Sequence, residues 1–431
     1  MEEGNTMQVV QTFGHVVSQW SEPHPDRAQG LLKLGWEAQN LKNRVLPDKR
    51  LLPADQYLAT VMMDAMLKPL QKPESSAIVS VFTPSEILLE AGLNPYNVEG
   101  FSCYLSGSQA ERTFLQQAEN TGISETLCSY HKTFLGAADK GVLPRPKCIV
   151  YTNLTCDANL LTFRRLAEMY KVPYFSIDVP MQQNEDNIAY VADQLRKLAG
   201  FLEQVTGRKI DAEALKVRLR RSRRTLEKFR DCQRARAGKY VPSDLVTPLY
   251  SGMVNNILLG SEQVEHYVDR LYADIQKASP TRGKRIYWMH TIPFWSDAVR
   301  HALSFREEAQ IIGCELSQTC EPDFDPEKPF EAMAYRMVYH SLNGSALRRI
   351  EAGIRHAKEA GADGVVWFNH WGCKHTLGAA QLAKKKFEKQ GLPLLVLDGD
   401  GCDRSHGGEG QTSTRLEAFL EMLGGERASC E

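Results

Sequence analysis

The chain has 431 residues, of which 42% are hydrophobic and 24% are charged, so it is long enough for two or three domains that each bury a core. Its net charge of −1 gives no overall attraction to nucleic acid or to an anionic membrane. No stretch approaches the roughly 18 apolar residues of a membrane span, and the start lacks the charged-then-apolar order of a secretory signal. We therefore expect a cytoplasmic protein.

The first part of the chain predicts helices followed by a parallel sheet. Residues 1–74 carry helical patterns punctuated by proline. Beyond them, apolar stretches predict strands at 77–82 (AIVSVF), 148–153 (CIVYTN) and 174–179, with helical patterns at 85–91 and 160–170. Apolar strands that alternate with amphipathic helices indicate a parallel sheet covered by helices.

The alternation stops in the middle of the chain and then resumes. Residues 184–277 are helical almost throughout, with breaks at Gly207 and 238–248. After them, strands are predicted at 286–290, 364–369 and 393–398, and helices within 296–313 and at 345–360. The closing helix is predicted to begin with a capping box formed by Thr414 and Glu417. Its apolar face carries Leu416, Phe419, Leu420 and Leu423.

These patterns predict an α/β protein with two Rossmann-like, open parallel-sheet domains. We divide the chain into an N-terminal helical segment (1–74), a first Rossmann-like domain (75–205), a helical linker layer (206–283) and a second Rossmann-like domain (284–431). Ligands of such sheets bind in the crevice at the carboxyl ends of the strands.

Ten cysteines are many for a cytoplasmic protein, where structural disulfides are disfavoured. No CxxC pair occurs, which argues against zinc ribbons and ferredoxin-type sites. Six cysteines lie in predicted loops or strand-to-helix junctions, three in each half: Cys103, Cys128, Cys156, Cys320, Cys373 and Cys402. The other four have the contexts of packing thiols or of the tail: Cys148, Cys232, Cys314 and Cys430. A packing role for the six stays open at this point.

Cys156 and Cys373 share one context, in which an apolar strand and an Asn-containing turn precede the cysteine and a helix follows it. A helix N-terminus lowers the pKa of a thiol and favours the metal-binding thiolate. Histidines lie near these positions: His290, His370, His375 and His406. His290 and His375 are our candidates for catalytic proton transfer, although hydrogen bonding or packing would also explain a histidine there.

Seven phrases stand in order along the chain: FTPSEILLEAGLNP, CSYHKTFLG, TNLTCDAN, VPYFSIDVP, the turn around Cys373, GLPLLVLDGD and QTSTRLEAFLEML. Together they resemble the cluster-carrying subunits of the 2-hydroxyacyl-CoA dehydratase and benzoyl-CoA reductase superfamily. Their order and spacing, from about residue 75 to residue 425, make the resemblance specific.

The resemblance implies an iron–sulfur site. In such subunits three cysteines hold a [4Fe–4S] cluster with one open iron position, and these fall on Cys128, Cys156 and Cys373. Cys320 stands where some members also have a cysteine. The additional Cys103 and Cys402 resemble the double-cubane proteins of the superfamily, in which six thiolates hold an [8Fe–9S] cluster. All six cysteines are therefore predicted cofactor and metal ligands.

The resemblance also implies a function and partners. A double-cubane reductase would transfer low-potential electrons, supplied by an ATP-hydrolysing iron–sulfur activator, to a small-molecule substrate, as a homodimer in an anaerobic host. The alternative is a 2-hydroxyacyl-CoA dehydratase subunit with one [4Fe–4S] cluster, and a third interpretation is a cluster carrier without a substrate. The chain itself has no GxxxxGK[ST] phosphate-binding motif.

The basic run at 216–224 (KVRLRRSRR) is the one signal that favours nucleic acid. It lies in a helical pattern with acidic residues close by. We interpret it as a solvated helix face, so no nucleic-acid partner is expected.

Overall fold

The computed structural model describes residues 2–424, with side chains from residue 7 onward, so Cys430 lies outside the described residues. Within them the strands are β1 (Ser76–Val79), β2 (Asn94–Asn97), β3 (Cys148–Thr152), β4 (Tyr174–Ile177), β5 (Lys284–Met289), β6 (Ala309–Cys314), β7 (Gly364–His370) and β8 (Leu394–Gly399).

The helices of the first half are α1 (Glu2–Trp20), α2 (Pro25–Val45), α3 (Pro53–Gln71), α4 (Ser85–Glu90), α5 (Val98–Gly107), α6 (Glu111–Asn120), α7 (Ser129–Asp139), α8 (Ala158–Tyr170) and α9 (Glu185–Thr206). The remaining helices are α10 (Ala212–Ala235), α11 (Thr247–Ile257), α12 (Glu262–Lys277), α13 (Asp297–Leu303), α14 (Pro329–Val338), α15 (Ala346–Glu359), α16 (Lys374–Leu377), α17 (Ala380–Lys389) and α18 (Glu409–Met422).

The strands form two four-stranded parallel sheets with the same order, β2-β1-β3-β4 and β6-β5-β7-β8. The central strands are β1 and β3 in the first sheet and β5 and β7 in the second. In each sheet the chain first adds a strand on one side of the starting strand and then adds the next two strands on the other side. This arrangement confirms the predicted α/β class with two Rossmann-like sheets. It also places a topological switch point, where such sheets bind ligands, between β1 and β3 and again between β5 and β7.

Each sheet is buried on both faces because its central strands are apolar at successive positions. In β1, Ile78 points to the core shared with the N-terminal helices, whereas Val79 points to the core under α9. In β7, Val366 packs toward α13 and α18, and Trp367 toward α15 and α17. This period of two, with both faces covered, is why these strands read as continuous apolar runs.

The predicted basic helix face is an ion-pairing surface. Within α10, four arginines of the run contact carboxylates on other elements: Arg218 with Glu90, Arg220 with Glu327, and Arg221 and Arg224 with Glu265. The run therefore joins α10 to neighbouring parts of the chain through ion pairs, and Arg218 and Arg221 are only 25% and 16% exposed, so the face is less solvated than the sequence suggested.

Several local predictions were wrong. The edge strand β2 was not predicted and the bounds of β6 were not given, whereas the helix expected within 296–313 is α13. Cys103 lies inside α5 rather than in a loop, because Asn97 caps that helix by accepting a hydrogen bond from Gly100 N at 2.6 Å. Thr414 lies inside α18 and donates to Gly410 O, so no capping box forms there. The division into four segments stays a prediction.

No helix among residues 2–424 combines the length and the apolar character that crossing a membrane requires.

Candidate functional site

Three of the predicted ligand cysteines meet at the carboxyl ends of the central strands. Cys128 is the residue before α7, Cys156 follows β3, and Cys373 follows β7 and precedes α16. Burial raises the pKa of Cys128, and the neighbouring Cys156 and Cys373 raise it further. Cys373 likewise acts on Cys156, whose pKa burial raises to about 12. Cys156 and Cys373 thus lie close enough to Cys128 to oppose its ionisation.

Burial raises the pKa of both Cys156 and Cys128. Backbone N–H groups at the helix start do lower these pKa values, through Ala158 and Asn159 for the first and Tyr130 for the second, but by less. The free-energy cost of removing a thiolate from water is larger than the stabilisation it receives from the first turn of a helix, so burial determines the direction of both pKa shifts. Both groups are neutral thiols in the protein without a bound cation. A metal that replaced their protons would reverse this preference.

Each of the three thiols contacts one histidine. The Nε2 atom of His370 lies 3.2 Å from Cys128 Sγ, that of His290 lies 3.6 Å from Cys373 Sγ, and that of His131 lies 3.8 Å from Cys156 Sγ. Burial lowers the pKa of all three histidines, to about 4 for His131. Each of the three sulfur atoms therefore has one neutral imidazole beside it.

The backbone around the thiols adopts unusual conformations. Thr155, just before Cys156, has φ of 68°, and His290 has φ of 78°; both are left-handed values that a residue with a β-carbon rarely adopts. Gly372, just before Cys373, has φ of 81°. Such conformations persist only where the surrounding structure imposes them, and they cluster at functional sites.

Contacts across the two halves fix the start of α7. Ser129 Oγ donates to Asp400 Oδ1 at 2.6 Å, and the same oxygen accepts from Cys402 N and Asp403 N, each at 2.7 Å. The hydroxyls of Tyr130 and Thr291 lie 2.8 Å apart. Cys128 is thereby held against the loop that follows β8.

Cys103 and Cys402 form a second group on the other side of Tyr130. Cys402 is fully buried, with Sγ 3.7 Å from Ser102 O and 3.5 Å from Thr133 Oγ1. Burial raises the pKa of Cys103 to about 12, although a hydrogen bond with Tyr130 opposes the shift. Cys103 also acts on the pKa of Cys402, which burial raises strongly.

The structure does not bring Cys320 to these groups. Its thiol lies in a small cavity with Leu154 and His340, near the buried ion pair of Glu86 and Arg336, whose closest N–O distance is 2.6 Å. Burial raises the pKa of Cys320, and Arg336 opposes that shift. Cys320 therefore has its own surroundings beside the end of β3.

The two predicted catalytic histidines are supported by one buried ion pair. Arg349 donates to Glu315 through Nε at 2.7 Å and through Nη2 at 2.6 Å. Glu315 accepts from His290 N at 3.0 Å, and Arg349 donates to His375 O at 3.0 Å. The pair thus fixes the turn after β5 and the turn after Cys373 together. His375 is exposed at the surface, and partial burial of its ring lowers its pKa while Asp157 opposes that shift.

Sequence reasoning missed several groups of the site. Glu99 lies near both Cys103 and Cys156, and burial raises the pKa of this carboxyl to about 7. Tyr130 and His131 directly follow the CS pair that starts α7, and that adjacency was the only available signal. Nothing local in the sequence marks Glu315 or Arg349.

Among residues 2–424, no three His, Cys, Asp or Glu side chains surround a point that would hold a single metal ion. The site is instead a wider assembly of three thiols, three imidazoles and a carboxyl, drawn from both halves at the switch points of two parallel sheets. This defines a class of protein: a pair of Rossmann-like domains with a shared cysteine-rich site.

The chain belongs to the family described as 2-hydroxyglutaryl-CoA dehydratase, D-component, whose model matches residues 80–423. It is 22% identical to the (R)-phenyllactyl-CoA dehydratase alpha subunit of Clostridium sporogenes, over 79% of this chain and 87% of that one. It is 23% identical to the alpha subunit of lactoyl-CoA dehydratase of Anaerotignum propionicum, over 81% and 90%. A benzoyl-CoA reductase subunit of Thauera aromatica is 21% identical, over 73% and 80%. These relatives are enzyme subunits, and the superfamily expected from the sequence is thereby confirmed.

Proposed function

We propose that the chain is an iron–sulfur enzyme that holds its cluster through Cys128, Cys156 and Cys373 and transfers electrons to a CoA thioester. One observation carries this proposal: three thiols from both halves converge at the two switch points, each with an imidazole nitrogen at its sulfur. Thiolates are the usual ligands of such clusters, and hydrogen bonds to the sulfur atoms tune them. The donor set therefore fits the group that the family implies.

Bound here, a cluster would supply single electrons at low potential. The chain's own residues would position it: the start of α7 presents Cys128, while the turns after β3 and β7 present Cys156 and Cys373. Glu99, with a pKa of about 7, is able to give or take a proton near neutral pH beside Cys156.

The geometry favours one [4Fe–4S] cluster over the double cubane that the count of six cysteines suggested. A second cubane needs three further thiolates, and among the described residues Cys103 and Cys402 provide two next to this site. The thiol of Cys320 contacts Thr319, and Cys320 lines a different cavity. The [8Fe–9S] reductase remains our second candidate, favoured by the Cys103–Cys402 pair.

The substrate and partners follow from the relatives. Because the relatives are named for CoA thioesters, we propose a 2-hydroxyacyl-CoA dehydration or a CoA-thioester reduction for this chain. Their description as alpha and beta subunits supports a second subunit, whereas the sequence favoured a homodimer. An ATP-hydrolysing iron–sulfur activator stays part of the proposal, as do an anaerobic host and a cytoplasmic location.

His290 and His375 remain proposed catalytic residues with different aptitudes. Burial, together with Arg349, His370 and His375, holds the pKa of His290 well below its ordinary value. A neutral imidazole of this kind donates a hydrogen bond readily but is rarely protonated at neutral pH. His375 is exposed beside the crevice and is the better placed of the two to exchange protons with solvent.

The test is anaerobic purification followed by measurement of iron and acid-labile sulfide per chain. About four irons match one [4Fe–4S] cluster, and about eight match the double cubane. Protein that contains no iron after anaerobic purification and reconstitution would refute the proposal.

Single variants then assign the ligands. Cys128→Ser, Cys156→Ser and Cys373→Ser should each remove most of the iron. Cys232→Ser is the matched control, because Cys232 is a buried core thiol that contacts only Val268 O at 3.7 Å among the hydrogen bonds of the structure. Loss of half of eight irons in Cys103→Ser and Cys402→Ser would favour the double cubane, and unchanged iron would exclude it.

A further inference from the structure

His370, the last residue of β7, has a fixed orientation between two partners. Its Nε2 atom lies 3.2 Å from Cys128 Sγ, and its Nδ1 atom lies 3.1 Å from Gly401 N. The side chain is 1% exposed. The ring of Tyr130 lies 5.2 Å away and that of His290 stacks at 5.9 Å, so neighbouring rings hold its plane.

These contacts determine which ring nitrogen carries the proton. A backbone N–H can only donate, so Gly401 requires a lone pair on Nδ1 of His370. The single proton of the neutral imidazole is then on Nε2, directed at the sulfur of Cys128. His131 is less determined, because the hydroxyl of Thr162 at its Nδ1 can donate or accept. His290 Nδ1 is buried without a hydrogen-bond partner in the described part of the chain.

We propose that His370 is a positioning residue that donates an N–H···S hydrogen bond to the Cys128 thiolate and thereby raises the reduction potential of the cluster. The inference rests on the proposed function, since it needs a cluster on Cys128. A donor at the sulfur withdraws negative charge, and the reduced cluster carries more of that charge than the oxidised one. Outer contacts of this kind also fix the orientation of a ligand.

The loop that contains Gly401 contacts both His370 and the start of α7. Gly401 lies between Asp400 and Cys402. The carboxylate of Asp400 accepts a hydrogen bond from the hydroxyl of Ser129, which is next to Cys128. One loop after β8 thus sets the tautomer of His370 and the position of the helix that presents Cys128.

Two variants separate the two ends of the imidazole. In His370→Gln the amide nitrogen reaches about as far as Nε2 and retains a donor for Cys128. In His370→Asn the amide oxygen stands near Nδ1 and retains the acceptor for Gly401, but the donor to sulfur is lost. His356→Asn is the control, because His356 is a buried histidine of α15 that contacts Glu321 instead.

The experiment measures iron per chain and the midpoint potential by anaerobic titration followed by electron paramagnetic resonance. We expect His370→Asn to shift the potential to more negative values, and His370→Gln and His356→Asn to remain near the wild type. Loss of iron in His370→Asn alone would also support the donor role. Equal potentials in all variants, an equal shift in the Asn and Gln variants, or loss of iron from both would overturn the inference. Wild-type protein without iron would instead refute the proposed function.

Discussion

Gly372 and Cys128 lie against each other across the boundary between the two halves. A β-carbon placed on Gly372 would lie 2.7 Å from Cys128 N and 2.8 Å from Cys128 Cα, closer than real β-carbons approach backbone atoms. Gly372 also has φ of 81°, in the left-handed region. Glycine at this position therefore allows the turn that presents Cys373 to touch the turn that presents Cys128.

The first prediction concerns Gly372→Ala. The added methyl group must push the backbone at Cys128 away from Cys373, because neither neighbour is the end of a flexible side chain. We expect most of the iron to be lost while the fold persists, measured as iron per chain together with circular dichroism.

Gly391→Ala is the matched control for that variant. Gly391 has φ of 73°, but a β-carbon added there would have nothing within 4 Å, so alanine meets only the conformational cost, about 1 kcal/mol. It should destabilise the fold slightly and keep its iron. Equal iron in the two variants would contradict the role assigned to the contact.

The second prediction concerns the buried ion pair of Arg349 and Glu315, whose side chains are 3% and 5% exposed. Arg349→Leu should destabilise the protein by about 3–5 kcal/mol, because it leaves Glu315 buried without its partner. The double variant with Glu315→Leu should recover part of that loss. Urea unfolding of Arg349→Leu, Glu315→Leu and the double variant measures the effect, and a double variant less stable than Arg349→Leu would count against it.

The third prediction tests the contact of Tyr130 with Thr291. Their hydroxyls are buried and 2.8 Å apart, so Tyr130→Phe leaves Thr291 without this partner at a cost of about 1–3 kcal/mol. In a double-mutant cycle with Thr291→Val, we expect a coupling energy of about 1 kcal/mol from unfolding midpoints. Additive effects of the two substitutions would show that the hydroxyls do not interact.

The fourth prediction is a pH dependence of stability from Asp55 in α3. Burial raises the pKa of this carboxyl to about 7, against an ordinary value of 3.8. Between these two pH values the folded protein keeps a proton that the unfolded chain releases, so stability falls as pH rises. The contribution is fully present below about pH 4 and is lost by about pH 7, at about 1.4 kcal/mol per pH unit.

Asp55→Asn should remove this decline. Its stability relative to the wild type should increase by about 2 kcal/mol from pH 5 to pH 7, measured by urea unfolding. Asp64→Asn is the control on the same helix, because Asp64 is 43% exposed and pairs with Arg44 at 2.6 Å. Parallel curves for the wild type and Asp55→Asn would exclude a raised pKa.

The central strands could be predicted from the sequence because both their faces are apolar, and the edge strands β4 and β8 were predicted as well, whereas the edge strand β2 could not be. Strand β2 has the sequence NPYN, and it tolerates Pro95 because only β1 pairs with it. The capping box at Thr414 was mistaken because α18 begins at Glu409, whose carboxylate accepts from Ala298 N at 2.7 Å. That helix start is set by α13, which lies more than a hundred residues earlier in the chain.

The sequence singled out Cys128, Cys156 and Cys373 because they follow apolar strands or precede a helix, and their role as ligands stays a prediction. Their histidine partners could not be predicted, because the contact of Cys128 with His370 joins positions 242 residues apart. Cys103 was assigned to a loop, yet it lies inside α5, the helix that Asn97 caps. The cavity that Cys320 shares with Leu154 and Met333 joins distant parts of the chain, which no local pattern encodes.

The location of the three thiols has a mechanical consequence. Cys128 and Cys156 belong to the half with the first sheet, and Cys373 to the half with the second, so a rotation of one sheet against the other changes the distances among the three sulfur atoms. A cluster bound by all three would resist that rotation, and a partner that forces the rotation would weaken the binding. With the proposed cluster bound, its affinity and the resistance of the two sheets to rotation would therefore be coupled, and neither half would have this property alone.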